Sequence, residues 1–141
     1  MSMSDYDPTN PEQNLPFARL IGTRITHLSK DRVEAELLVR DELLNPNGVL
    51  HGGVLMAMAD NLGGRGTMVN LPPGGSTATI ESKTNFFAAI FGGDTARAES
   101  TPLHKGKTTM VWQTRITRGS DGKLAAMVTQ TQLVIPAKTD T

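Results

Sequence analysis

The sequence predicts an α+β domain whose antiparallel sheet wraps one long central helix. Three observations carry this. Residues 52–70 show helical periodicity, cut off by the stretch Leu71-Pro72-Pro73-Gly74-Gly75-Ser76. Four later stretches alternate apolar and polar residues as half-buried strands do. An earlier alternating pair reads as a hairpin.

In chain order, residues 1–14 are rich in Pro, Asn and Asp and read as a flexible N-terminal arm. The folded domain is expected over residues 15–137. Residues 15–20 fit a short helical turn, and residues 21–28 a strand. Ser29-Lys30-Asp31 fits the turn that follows. Val33, Ala35, Leu37 and Val39 then fall on one face of a second strand, within residues 32–40. Residues 41–50 carry Asn-Pro and Asn-Gly turn signals and read as a loop. Beyond the long helix, strands are expected at 77–87, 94–103, 108–118 and 123–135. In the third of these, Met110, Trp112, Thr114 and Ile116 alternate against Val111, Gln113 and Arg115. A Gly-Ser-Asp-Gly turn separates it from the fourth.

Composition excludes several functions. The chain has 141 residues, enough for one domain, and 14 basic side chains balance 14 acidic ones. With no basic excess and few aromatics, nothing points to nucleic acid. There is no Cys, so thiolate nucleophiles, disulfides and cysteine-ligated zinc are ruled out. His27, His51 and His104 lack ligand spacing, and no metal is expected. No apolar run is long enough to span a membrane, and no secretory h-region is visible. A cytoplasmic location is the expectation. Gly106-Lys107-Thr108 lacks the first glycine and the strand-to-helix context of a phosphate loop.

The long helix holds the chemistry. Projected at about 100° per residue, Gly53, Met56, Ala57, Gly63, Gly64 and Thr67 fall on the side of Asp60. Leu55, Met58, Leu62 and Val69 fall opposite, as a stripe fit to pack on a sheet. A face of Gly and Ala allows close approach by a ligand or another helix, or simply marks a helix end. Thin apolar surroundings place Asp60 in an enclosed position, suited to a general base or nucleophile. The Gly52-Gly53 pair opens the helix with two backbone N–H groups free of intrahelical partners, able to polarise a carbonyl oxygen. His51 is placed to cap the helix or order the loop. Gly52 and Asp60 lie eight residues apart, about 12 Å along the axis. One helix cannot bring both to one reacting carbon. Either Asp60 works with other donors of its own chain, or the glycine comes from a second subunit.

Asn45, Gly48, His51-Gly52-Gly53 and Asp60 together resemble the N-x-x-G-x-x-H-G-G-x₆-D pattern of hotdog-fold acyl-CoA thioesterases, with the phenylacetate-pathway (PaaI-like) group the nearest branch. Residues 81–131 also resemble the C-terminal half of that family. "FFAAIFGGD" stands where a Pro-Ala segment is usual, and Arg65 with the Gly63–Gly66 cluster stands where relatives keep ordinary helix formers. The resemblance implies the hotdog fold and hydrolysis of an acyl-CoA thioester to free acid and CoA. Asp60 would activate water or attack directly, and the Gly52 N–H would polarise the carbonyl. Asn45 would hold the water or thioester, Thr79 would set a hydroxyl beside the carboxylate, and His51 would order the loop. No cofactor is implied, since CoA is part of the substrate. The implied assembly is at least a homodimer with sites shared between chains, and a tetramer built as a dimer of dimers.

A non-catalytic acyl-CoA-binding module on the same fold is the alternative, and the carboxylate at Asp60 favours the enzyme. The Asp/His dyad of a hotdog hydratase is not found. Phe86, Phe87, Met56 and Met68 fit either a pocket or the core. Lys105, Lys107, Arg118 and Lys123 fit CoA phosphates or plain solvent.

Overall fold

A computed structural model describes residues 2–139; Met1, the first residue of the expected arm, lies outside them. Two α-helices, α1 (Pro16–Ile21) and α2 (Gly52–Met68), accompany six strands: β1 (Arg24–Leu28), β2 (Val33–Leu38), β3 (Ser76–Phe86), β4 (Thr95–Lys105), β5 (Thr109–Arg118) and β6 (Leu124–Ile135). All strands pair antiparallel in one sheet of order β1-β2-β4-β5-β6-β3. The crossover through α2 sends β3 to the far edge, where β6 is its one neighbour within the chain.

Apolar side chains of the sheet meet the apolar stripe of α2. Val33, Ala35 and Leu37 of β2, Ala96 and Ala98 of β4, Ile116 of β5 and Val128 of β6 are buried with Leu55, Met58, Ala59 and Leu62. The stripe is therefore as the projection places it, save that Val69 is the half-buried cap residue after the helix. Two elements differ from expectation. Residue Ile21 ends α1 rather than opening a strand, because Gly22 adopts φ +88° and closes the helix with N–H bonds back to Ala18 and Arg19. β1 starts only at Arg24.

The second difference lies on α2. Gly63 and Thr67 are buried rather than presented on an open face. Trp112 Nε1 donates to Thr67 Oγ1 at 2.9 Å, and Thr67 Oγ1 donates to the Gly63 carbonyl at 2.9 Å. Gly66 lies under the Trp112 indole, where a Cβ would come within 2.7 Å of the ring. Two glycines of the cluster thus serve close helix-to-sheet packing. Gly64 has nothing within 4 Å of a Cβ position and keeps an open side.

The stretch expected as a loose arm lies down on α2. Arg65, buried at 3 % exposure, reaches out of the helix to the main-chain carbonyls of Gln13 (2.7 Å) and Asn10 (2.6 Å). The Asn14 amide donates to the Thr23 carbonyl. No helix among the described residues is long and apolar enough to cross a membrane.

Candidate active site

Asp60 projects from the outward side of α2 and is exposed in the single chain. The expected enclosure is absent because β3, beside it, is an edge strand with no neighbour beyond. Its carboxylate is nonetheless held firmly. Thr79 Oγ1 donates to Asp60 Oδ1 at 2.6 Å, and Gln130 Nε2 donates to the same oxygen. Gln130 Nε2 also reaches Thr79 Oγ1 at 3.1 Å, and Gln132 Nε2 donates to Thr79 Oγ1 at 2.7 Å. Thr77 Oγ1 donates to Gln132 Oε1 at 2.8 Å and extends the chain. Oδ2 of Asp60 has no donor among the described residues, so one oxygen is fixed and the other is available.

The strand that carries Thr79 is built for this. Its register with β6 shifts between Thr79, opposite Gln132, and Glu81, opposite Thr131. This bulge resets the alternation, so Thr79 and Phe86 face α2 together although seven residues apart. Thr79 meets Asp60 there, and the Phe86 ring lies against the Gly52 Cα, about 3.1 Å from where a Cβ would stand.

The other candidate residues gather at the start of α2. His51 is the N-cap, and its Nδ1 accepts the Gly53 N–H at 2.8 Å. Only one of the two expected N–H groups is therefore free: Gly52 N–H has no acceptor among the described residues, whereas Gly53 is taken. Asn45 Oδ1 accepts from the Asn47 N–H (2.9 Å) and the Val49 N–H (3.2 Å), which fixes the loop and leaves its amide nitrogen available. Gly48, at φ +75°, makes the turn. The chain thus brings together Asp60 with Thr79, and Asn45 with His51 and Gly52, but the two groups stay about 12 Å apart along α2.

Gln130, Gln132 and Thr77 were not among the residues expected at the site. A signal was present: Ala126, Val128, Gln130 and Gln132 share one parity in a strand whose apolar members are core. Polar residues on that parity had to face the helix and find partners.

Asp60 opens onto a cleft of about 410 Å³ between α2, the start of β3 and the arm, with Tyr6, Leu15, Asn61, Gly64, Met68 and Thr77 in its wall. Burial pushes the Tyr6 phenol up and the Arg65 guanidinium down from their ordinary values. Of the residues that fitted either a pocket or the core, Met68 lines this cleft, and Met56, Phe86 and Phe87 are exposed. Lys105 pairs with Asp31 at 2.6 Å, and Arg118 with Asp121 and the Ala89 carbonyl. Among the described residues no three His, Asp or Glu side chains are grouped as metal ligands would be.

Residues 47–125 match the family model of the thioesterase superfamily. A 1,4-dihydroxy-2-naphthoyl-CoA hydrolase of Listeria monocytogenes is 33 % identical over 98 residues, which cover 69 % of this chain and 78 % of that protein. A crystal structure of a thioesterase from Haemophilus influenzae superposes with a TM-score of 0.81 at 28 % identity, covering 87 % of this chain and 85 % of that one. The phenylacetic acid degradation protein PaaI of Thermus thermophilus shares the fold, with a TM-score of 0.77 at 23 % identity and coverage of 84 % and 97 %. With its helix-wrapping antiparallel sheet and this match, the chain belongs to the hotdog-fold thioesterase superfamily and is a thioester hydrolase.

Proposed function

We propose that the protein hydrolyses acyl-CoA thioesters to a carboxylic acid and CoA, with Asp60 as the reacting carboxylate. The observation that carries this reading is the division of labour within Asp60: Oδ1 takes two donors, and Oδ2 is left to act. As a general base, Oδ2 takes a proton from water while the water oxygen attacks the thioester carbonyl. The tetrahedral oxyanion forms against a backbone N–H, then collapses and expels the CoA thiolate, which takes the proton from Asp60. As a nucleophile, Oδ2 attacks the carbonyl itself, expels the thiolate and forms an anhydride that water opens. A single turnover in heavy-oxygen water separates the two. Label found in Asp60 marks the nucleophilic route, with water opening the anhydride at the Asp60 carbonyl, whereas the general-base route labels only the acid product.

The oxyanion donor is the Gly52 N–H of a second subunit. The free edge of β3 offers unpaired main-chain groups, and Ile80 and Phe86 are exposed beside it. Antiparallel pairing of two β3 edges centred on Lys83, with the bulge between Thr79 and Glu81 counted, sets Thr79 opposite Phe86 of the partner subunit. Because Phe86 lies against Gly52, the partner's Gly52 then comes beside Asp60, with Asn45 and His51 shaping its loop. That pairing also supplies the cover that Asp60 lacks in one chain. Phe17 and Leu20, exposed on α1, are apolar surface for joining such dimers into a tetramer. The reading needs no cofactor beyond the CoA that the substrate carries, and it places the protein in the cytoplasm with CoA esters.

The test is thiol release across phenylacetyl, hydroxybenzoyl, short-, medium- and long-chain acyl-CoAs, with wild type beside Asp60→Asn. Turnover by wild type and a loss of at least about 10²-fold in kcat in the variant are expected. Near-native kcat in folded Asp60→Asn would remove Asp60 from the mechanism. Failure to turn over any CoA ester would overturn the substrate class.

A further inference from the structure

The wall of the Asp60 cleft is made in part by the N-terminal arm. Met3, Tyr6 and Leu15 line it opposite Gly64 and Met68. What holds the arm there is unusual. The Arg65 guanidinium is buried, and among the described residues no carboxylate lies within ion-pair distance of it. Its Nη1 and Nη2 donate to the carbonyls of Gln13 and Asn10, and its Cζ lies 5.3 Å from the centroid of the Tyr6 ring. A buried cation carries a large desolvation cost unless its donors are satisfied. Here the arm satisfies two of them and the ring adds a cation–π contact. Arg65 and the arm therefore stand or fall as a unit, and that unit fixes Tyr6 at the cleft.

We propose that the Arg65-locked arm is the end wall of the acyl pocket, and that Tyr6 limits the length and bulk of acyl group the Asp60 site accepts. The inference rests on the thioester-hydrolase reading of the same site. With the carbonyl over Asp60 and the CoA portion leading toward the N-terminal end of a neighbouring α2, the acyl tail runs into this cleft. Leu15 and Met68 give it apolar sides. Gly64, with nothing within 4 Å of a Cβ position, gives it depth. The favoured substrates are compact acyl groups, aryl or short-chain, that end against the Tyr6 ring.

Two substitutions move the pocket in opposite directions. Tyr6→Ala removes the wall. Gly64→Leu fills the cleft from the helix side and replaces a helical glycine with a better helix former. Each admitted or excluded methylene is worth roughly fourfold in kcat/KM. Against a straight-chain acyl-CoA series from acetyl to palmitoyl, Tyr6→Ala should raise the long-to-short ratio of kcat/KM by about tenfold or more. Gly64→Leu should lower it by a similar factor. Arg65→Gln releases the same wall and should follow Tyr6→Ala, with the arm newly open to chymotrypsin at Tyr6. An unchanged chain-length profile in both Tyr6→Ala and Gly64→Leu would overturn the proposal. If wild type cleaves none of the series and neither phenylacetyl- nor hydroxybenzoyl-CoA, the hydrolase reading fails on its own. The wall is then read from the affinities of non-cleavable acyl-CoA thioethers, where a profile that shifts in Tyr6→Ala supports it and a constant one overturns it.

Discussion

The Gln130 carboxamide occupies the space that a Cβ on Gly63 would fill. That contact explains a glycine inside the helix that carries Asp60. Gln130 is 1 % exposed, and it reaches Asp60 and Thr79 only because α2 has no side chain in its way. Gly63 therefore acts on the carboxylate through Gln130, as a positioning residue.

Gly63→Ala should push Gln130 off Asp60. Displacing a catalytic group by about 1 Å can cost on the order of 10²-fold in rate, so kcat should fall at least about tenfold. The double variant Gly63→Ala/Gln130→Ala removes the overlap. It should recover thermal stability while kcat stays low. Steady-state kinetics and melting curves on both proteins check this, and recovery of kcat in the double variant would show that Gln130 does not position Asp60.

Neighbouring glycines should respond with opposite signs. At Gly66 a Cβ meets the Trp112 ring at 2.7 Å, and Trp112 is fully buried. Overpacking there should destabilise Gly66→Ala by roughly 1–3 kcal/mol. At Gly64 no atom lies within 4 Å, and Gly64→Ala should gain up to about 1 kcal/mol from helix propensity. Urea unfolding of the two variants measures both.

Asp94 ties the β3–β4 connection to the β5–β6 turn. Its carboxylate accepts from Ser120 Oγ (2.6 Å), the Ser120 N–H (3.0 Å) and the Thr95 N–H (2.7 Å). The Ser120 hydroxyl and then the backbone donors hold its pKa below the usual 3.8. A lowered folded-state pKa means stability that is fully present above the unfolded value and lost as pH falls through the folded one. Asp94→Asn should therefore be less stable than wild type at neutral pH. The gap should close as pH drops below about 4. Denaturation series at several pH values check the sign, and a gap that widens in acid would contradict it.

Much of this was legible in the residues. Helical spacing from Gly52, the Leu-Pro-Pro-Gly-Gly stop and the alternation around Trp112 each obey a local rule, so α2 and the later strands stand close to where the pattern puts them. Asp60 and Thr79 were named, and they meet across α2 and β3. What was not legible depends on contacts between distant segments. Thr129-Gln130-Thr131-Gln132 is polar at every position, so which pair faces the helix follows only once its parity is tied to Ala126 and Val128. The arm reads as loose because the group that pins it, Arg65, lies 52 residues beyond Gln13. Asp60 reads as enclosed because a sequence does not state which strand becomes the edge.

In the proposed dimer, one site takes its carboxylate and its oxyanion donor from two chains. The direct measurement is complementation between Gly52→Pro and Asp60→Asn. His51, at φ −60° and ψ 134°, already has the extended backbone that a following proline requires. Each protein alone should release almost no thiol. Mixed in equal amounts under subunit exchange, with exchange verified by native mass spectrometry, half of the dimers are mixed. In each mixed dimer one site collects both defects and the other collects neither. About a quarter of wild-type activity should return. Activity no greater than the sum of the separate variants, with exchange verified, would mean that each chain carries its own complete site.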